Sequence, residues 1–344
     1  MKVSLGMRLK EGPWGGGNQF GRALAAYLRQ QGVEVSFDLA DPELDLILLA
    51  EPDRRLGICA YDHRHILRYL RRVNPRALVV HRINNSSEAR DDASGRFNRF
   101  RIAANLVADH TVFVSRWLHQ VYVRAGFGRR PFDVILNGAD PELWRAAPKP
   151  RPEGPFSLVT HHWSDNYNRG FDIYARLDRM LADPAWRGRI RFTYVGRLPR
   201  GFTFRHARYL EPLSGRELAA EIKRHHVYIS ASRNDSAPMH AIEGCLAGLP
   251  ILYRDSGGLP EHCAGFGLAF TPADFEARLE QMLAEYDSWA ARMPDYPHTS
   301  RRMCADYLDL FRRLLARRED ILARRAWSGW RGWPTRLRIL TARP

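Results

Sequence analysis

Cysteine is scarce in this 344-residue chain, and the four that occur (Cys59, Cys245, Cys263, Cys304) are scattered with no C-x-x-C pair. A disulfide framework and a structural zinc site both need regularly spaced thiols, so neither organises this sequence. The histidine pairs His161-His162 and His225-His226 offer no better metal frame. Neighbouring side chains on a strand point to opposite faces, which keeps such a pair from gripping one ion. Long apolar runs are also missing: no stretch approaches the ~20 residues that span a bilayer. The opening residues Met1-Lys2-Val3-Ser4-Leu5 carry no signal-peptide pattern. Together these absences predict a cytoplasmic protein. Lysine is the last shortage, because nearly all of the 53 basic residues are arginine.

What is present is positive charge, +15 net at neutral pH. Such a surplus predicts affinity for phosphates, whether nucleoside diphosphates, lipid headgroups, an anionic membrane surface or nucleic acid. No recognisable RNA- or DNA-binding module accompanies it, so nucleic acid is not an expected partner and a basic nucleic-acid-binding protein is kept only as an alternative. Hydrophobic content of 45% and aromatic content of 11% are those of a globular chain. The length exceeds one small core and predicts two domains of roughly 150 residues.

Short β-type runs alternate with helical patterns throughout, the mark of parallel-sheet α/β architecture. Strands are predicted at residues 3–7, 33–37, 44–49, 77–81, 110–114 and 133–136, then at 156–160, 190–195, 227–230, 251–253 and 268–270. The helix predicted over 18–31 places Phe20, Leu24, Tyr27 and Leu28 on one face and ends at Gly32. Ser214 and Glu217 have capping-box spacing at the start of another helix. Long helices are predicted over 272–290 and 300–325, and the Pro/Lys/Arg-rich stretch 147–155 reads as a linker. The expected division is a Rossmann-like domain over 1–147, a second over 148–310, and a C-terminal helix and basic tail over 311–344. Ligands bind outside the carboxyl ends of parallel strands, so the two domains are expected to face one another across a cleft.

The run Asn234-Asp235-Ser236-Ala237-Pro238-Met239-His240-Ala241-Ile242-Glu243-Gly244 spans a strand-to-helix junction. Asp235 falls in the loop at a strand's carboxyl end, and Glu243 about two helical turns further on. Between them, around Ala237, Pro238, Met239 and His240, lies a helix N-terminus, whose free N–H groups and dipole favour phosphate. Carboxylates that grip hydroxyls beside amides that hold a diphosphate suit a nucleotide sugar. The blander reading is an N-capping Asp and a solvated helix Glu. Near the N-terminus, Gly12-Pro13-Trp14-Gly15-Gly16-Gly17-Asn18 leads into the first helix, and Gly15, Gly16 and Gly17 let backbone come close to a ligand. A dinucleotide frame starting at Gly15 and Gly17 needs a third glycine at position 20, which is Phe20, so the NAD reading fails despite Asp38 at the end of the second strand.

These segments resemble the retaining glycosyltransferases of the GT-B fold, in the family 4 group. The family pattern is Glu, seven residues, Glu, a small-residue helix and Gly-x-Pro. Here Asp235 replaces the first Glu with one methylene less, Glu243 keeps the second, and Gly248-Leu249-Pro250 follows. Val114-Ser115 with Trp117, Ile135-Leu136-Asn137-Gly138-Ala139-Asp140, and Gly257-Gly258-Leu259-Pro260-Glu261 match in order over roughly residues 3–270. The family's basic residue directly before a glycine and a helix corresponds to Arg169. Its upstream arginine is absent, replaced by His161-His162-Trp163-Ser164, and Arg197 is either a substitute or a surface residue.

The resemblance implies transfer of a hexosyl group from a nucleoside-diphosphate sugar to an acceptor hydroxyl with retention, in cell-envelope polysaccharide or glycolipid synthesis. The donor is a co-substrate, and no cofactor or metal is implied. Asp235 then orients the sugar hydroxyls, Glu243 accepts from the ribose, and Arg169 with the 237–240 amides and the glycine loop neutralises the diphosphate. His81, predicted at a strand end, is a candidate for positioning or proton transfer. The tail Trp327-Ser328-Gly329-Trp330-Arg331-Gly332-Trp333 with Arg336 and Arg338 either packs back on the first domain or touches membrane. A sugar-nucleotide epimerase on the same fold is the other alternative, discriminated by donor turnover without acceptor.

Overall fold

Alternating strands and helices build two parallel six-stranded sheets in a computed structural model that describes residues 1–10 and 15–344. The first sheet contains β1 (Lys2–Leu5), β2 (Glu34–Ser36), β3 (Leu46–Leu49), β4 (Leu78–Ile83), β5 (His110–Phe113) and β6 (Phe132–Val134), in the order β2-β1-β3-β4-β5-β6. Its central strand, Leu46-Ile47-Leu48-Leu49, is apolar without alternation because helices cover both faces. On one face Leu46 and Leu48 meet Phe20, Leu24 and Leu28 of the helix Gly16–Gln30 and Met303, Tyr307 and Phe311 of the helix Ser300–Ala316. On the other, Ile47 and Leu49 meet Ile66, Leu67 and Leu70 of the helix His63–Arg72, together with Trp327 and Ile339.

The second sheet contains β7 (Phe156–His162), β8 (Ile190–Gly196), β9 (Arg208–Leu210), β10 (Val227–Ser230), β11 (Ile251–Arg254) and β12 (Gly267–Phe270), in the order β12-β11-β10-β7-β8-β9. The chain enters at β7, winds outward through β8 and β9, and returns to β10 on the other side. The point where winding reverses, between β7 and β10, is where ligands bind in sheets of this kind. In the first sheet the corresponding point lies between β1 and β3.

The compact units are Met1–Leu136 with Ser300–Pro344, and Asn137–Thr299. These bounds differ from the 147/148 and 310/311 divisions read from sequence, for identifiable reasons. The expected linker is tied into the second unit, where Arg151 donates to Asp287 (2.7 Å) and to the carbonyls of Leu283 and Ala284, and Tyr286 donates to the Lys149 carbonyl. The helix Ser300–Ala316 belongs whole to the first unit because its apolar face completes that core. The tail also packs there, through Trp327 and Ile339 and through Arg325, whose guanidinium is buried on Asp109.

Three local expectations are corrected. β9 has no counterpart in the sequence reading. The helix expected over 272–290 is two, Phe275–Ala284 and Tyr286–Ala290. The helix expected over 300–325 breaks after Ala316, and the turn sets Arg318 against Asp45 at 2.6 Å before a short helix Arg318–Ala323.

Candidate functional site

The reversal point of the second sheet gathers four histidines and tyrosines around two carboxylates. Gly244 is the reason they meet. A Cβ there would stand 2.3 Å from the Tyr228 ring, so only glycine lets the helix Met239–Leu246 lie so close on β10. That approach brings Glu243 to the end of β7, where His161 Nε2 lies 2.8 Å from Glu243 Oε2. Tyr228 accepts a hydrogen bond from the His161 backbone N–H (3.1 Å), and its hydroxyl lies 3.0 Å from His161 Nδ1. Trp144 stacks on the same imidazole at 5.9 Å, nearly parallel.

Asp235 sits at the mouth of the helix, in the loop after β10. Asn234 before it takes a left-handed conformation (φ 53°), which asparagine tolerates better than most residues. Asp235 Oδ1 accepts from the Ala237 N–H (3.2 Å), and Oδ2 accepts from Arg169 Nη1 (2.6 Å). Arg169 ends a one-turn 3-10 helix (Tyr167–Arg169) on Gly170, whose φ of 100° and 2.4 Å approach of an added Cβ to Ala231 exclude any other residue. The helix itself begins after Pro238 with no side chain capping its N–H groups. His240, one residue into the helix, places Nε2 2.8 Å from Ser230 Oγ and Nδ1 4.0 Å from Asp235. Burial pushes the His240 imidazole down to about 3, against the pull of Asp235, so it is neutral at physiological pH. Desolvation likewise holds His162 well below the usual histidine range.

Arg197 follows β8. Its N–H donates to the His162 carbonyl (3.3 Å), and its guanidinium lies 4.9 Å over the Trp163 ring. Thus Asp235, Glu243, Arg169, Ala237, Pro238, Met239, His240 and Arg197 all belong to the carboxyl end of one sheet. Among the described residues no cluster of three His, Cys, Asp or Glu is arranged for a metal ion.

Two sequence-derived candidates belong to the first unit. Gly15 caps the first helix, which starts at Gly16, and added Cβ atoms on Gly15 and Gly17 would meet nothing within 4 Å. The stem of that loop is clipped by Asn18, which exchanges two hydrogen bonds with the Lys10 backbone; Gly12, Pro13 and Trp14 lie outside the described residues. His81 departs from expectation. β4 runs on to Ile83, so His81 lies inside the strand, fully buried, with Nδ1 accepting from Asn105 Nδ2 (3.0 Å). Burial first, and nearby Arg101 second, hold it down at about 3.

The residues that sequence reasoning did not assign are His161, Tyr228 and Trp163. The doubled histidine was the visible signal for the first, read there only as a failed metal pair. Tyr228 sits in an apolar core strand and gave none.

No protein-family model matches this sequence, and no curated protein matches it. Solved structures do resemble it. Sucrose-phosphate synthase from Thermosynechococcus elongatus superposes with a TM-score of 0.62 at 14% identity, over 92% of this chain and 99% of that one. Anabaena HepE in complex with UDP-glucose gives 0.63 at 14% identity, over 91% and 100%. A UDP-forming α,α-trehalose-phosphate synthase from Burkholderia xenovorans gives 0.57 at 15% identity, over 85% and 78%. What this chain shares with them is the GT-B-like fold, two Rossmann-like units with parallel sheets.

Proposed function

We propose that this chain is a retaining glycosyltransferase that moves a hexosyl group from a nucleoside-diphosphate sugar to a hydroxyl of a glycan or glycolipid acceptor of the cell envelope. The observation that carries the proposal is the Arg169–Asp235 pair at the uncapped N-terminus of the helix Met239–Leu246, with Glu243 on the same helix. A cation, free amides and two carboxylates at a sheet's reversal point supply what a donor needs: phosphate neutralisation and hydroxyl recognition. The solved UDP-glucose complex of a chain with the same fold supports this reading.

In the reaction the bond from the anomeric carbon to the diphosphate oxygen breaks, and the diphosphate leaves with the electron pair. The acceptor oxygen bonds to the same face of the sugar, and its proton passes to the departing phosphate. Negative charge grows on the diphosphate as the sugar becomes oxocarbenium-like. Arg169, Arg197 and the helix amides meet that charge, so the reading calls for no metal. Asp235 holds sugar hydroxyls and Glu243 the ribose.

Calorimetry with UDP, GDP, ADP and NAD tests the donor site. One nucleoside diphosphate is expected to bind, and Glu243→Ala to weaken it by about tenfold or more, as for lost hydrogen bonds to a charged group. Binding of NAD, or of RNA with no nucleotide, would sink the reading.

The acceptor side of the proposal includes an anionic lipid surface. No helix of the described residues is long and apolar enough to cross a membrane. The terminal helix Trp333–Thr341 instead buries Ile339 against the first unit and leaves Trp333 (59% exposed), Leu337 and Leu340 outward, with Trp330 (78% exposed) just before it. Arg331, Arg338 and Arg343 are exposed among them. Such tryptophan and arginine composition suits the headgroup region. Co-sedimentation with phosphatidylglycerol-containing vesicles, but not phosphatidylcholine alone, is expected, falling about tenfold in Trp330→Ser/Trp333→Ser. Equal binding to both lipids, or none, would remove the membrane from the proposal.

A further inference from the structure

Glu243 and Asp235 differ in what they have left to offer. Both oxygens of Asp235 are engaged, one by the Ala237 N–H and one by Arg169. Glu243 accepts at Oε2 from His161, and its Oε1 accepts no hydrogen bond among the described residues. Its side chain is only 6% exposed. A carboxylate so placed, largely buried yet with one oxygen uncommitted, is poised to accept from a ligand.

The uncommitted oxygen is selected by a relay. Tyr228 is wholly buried and keeps its phenolic proton, because desolvation raises it well above the usual range. Its oxygen already accepts from the His161 backbone N–H, and its hydroxyl neighbours both the Thr160 side chain and His161 Nδ1 (3.0 Å). Because a carboxylate only accepts, His161 carries its hydrogen at Nε2 toward Glu243, and Nδ1 is left to accept from Tyr228. An imidazole that accepts at Nδ1 carries its hydrogen at Nε2, where it donates to Glu243 Oε2. Tyrosine thereby anchors the ring in the tautomer that the carboxylate requires, and histidine holds the carboxylate. Trp144, stacked on the ring, fixes its plane.

We infer that His161, held by Tyr228, is a positioning residue that fixes the Glu243 carboxylate with Oε1 presented to the donor's ribose, and thereby makes the site select ribonucleotides over their deoxy counterparts. The inference rests on the donor reading above and adds to it the device that makes Glu243 selective. Neither His161 nor Tyr228 touches the nucleotide. Selectivity arises because an acceptor fixed under the bound nucleotide is left unpaired when the ribose hydroxyl is missing, whereas a carboxylate free to rotate finds another partner.

The test compares UDP, GDP and ADP with their 2′-deoxy and 3′-deoxy forms by calorimetry on the full chain. Wild type is expected to prefer the ribonucleotide over one deoxy form by about tenfold or more, the weight of a hydrogen bond to a charged group. His161→Phe keeps a ring against Trp144 and removes both hydrogen bonds. It is expected to bring the ratio within about threefold while affinity for the deoxy nucleotide stays unchanged, since Arg169 and the helix amides still hold the diphosphate. His161→Gln, which restores a donor to Glu243, is expected to recover selectivity. Tyr228→Phe, which removes the partner of Nδ1 and so loosens the imidazole while sparing the tyrosine ring's packing, is expected to lie between and decides the matter if His161→Phe does not fold. A merely structural role would weaken both nucleotides alike. A ratio unchanged in His161→Phe and Tyr228→Phe overturns the inference alone, whereas wild type that binds no nucleoside diphosphate overturns the donor reading and the inference with it.

Discussion

Arg169→Ala is expected to lower kcat by about a hundred- to a thousandfold, the usual loss when one preorganised group facing transition-state charge is removed. Arg169 is paired with Asp235 at 2.6 Å, and both side chains are largely shielded, at 32% and 14% exposure. On the proposed reading, a diphosphate takes Arg169 over from Asp235, which frees Asp235 Oδ2 for a sugar hydroxyl at the same moment. Charge on the leaving group is greater in the transition state than in the bound donor, so the loss is expected in kcat more than in KM. Arg169→Lys keeps the charge but loses the planar fork, and an intermediate deficit follows. Steady-state rates of donor cleavage with the nucleotide identified by calorimetry give the answer. A change below threefold would remove Arg169 from the reaction.

The second large effect concerns stability. Arg325→Ala is expected to destabilise the first unit by about 3–5 kcal/mol, because removing one partner of a buried ion pair strands the other. Arg325 and Asp109 are only 4% and 3% exposed, and the guanidinium also donates to the carbonyls of Pro75 and Ala77. Nε and Nη2 reach the two Asp109 oxygens at 2.7 Å each. Asp109 further accepts from the Val79 N–H (2.8 Å). The pair therefore joins the tail to the starts of β4 and β5. Urea unfolding followed by tryptophan fluorescence measures the loss in the transition that includes this unit; a loss under about 1 kcal/mol would mean that the tail contributes little to it.

Much of the architecture was legible because its carriers are local. Leu46-Ile47-Leu48-Leu49 and Val227-Tyr228-Ile229-Ser230 are buried strand interiors, and β-rich apolar runs between helical periods announce a parallel sheet. β9 escaped because Arg208-Tyr209-Leu210 is short, at a sheet edge, and only partly buried, with Arg208 engaged by Glu221 on the next helix. His81 was placed two residues from where its strand ends, since nothing in Val80-His81-Arg82-Ile83 marks the stop. Arg82 reads as a surface residue, but it is buried over the Phe20 ring at 3.9 Å. In the candidate site, the Asp235–Glu243 spacing was readable within one junction. The pairing of His161 with Glu243 joins positions 82 residues apart, and that of Arg169 with Asp235 positions 66 apart. Such contacts depend on which strand neighbours which, and on the missing side chain of Gly244.

The interrupted first unit has a consequence for synthesis. Its last helices follow the whole of Asn137–Thr299, so the second unit emerges from the ribosome as one continuous stretch and can fold while the first is still incomplete. Until Met303, Tyr307 and Phe311 arrive, the face of the first sheet that holds Leu46, Leu48 and Leu78 is covered by the helix Gly16–Gln30 alone. The unit begun first is therefore finished last, and a nascent chain stalled before residue 300 carries a partly uncovered apolar sheet that invites chaperones or aggregation.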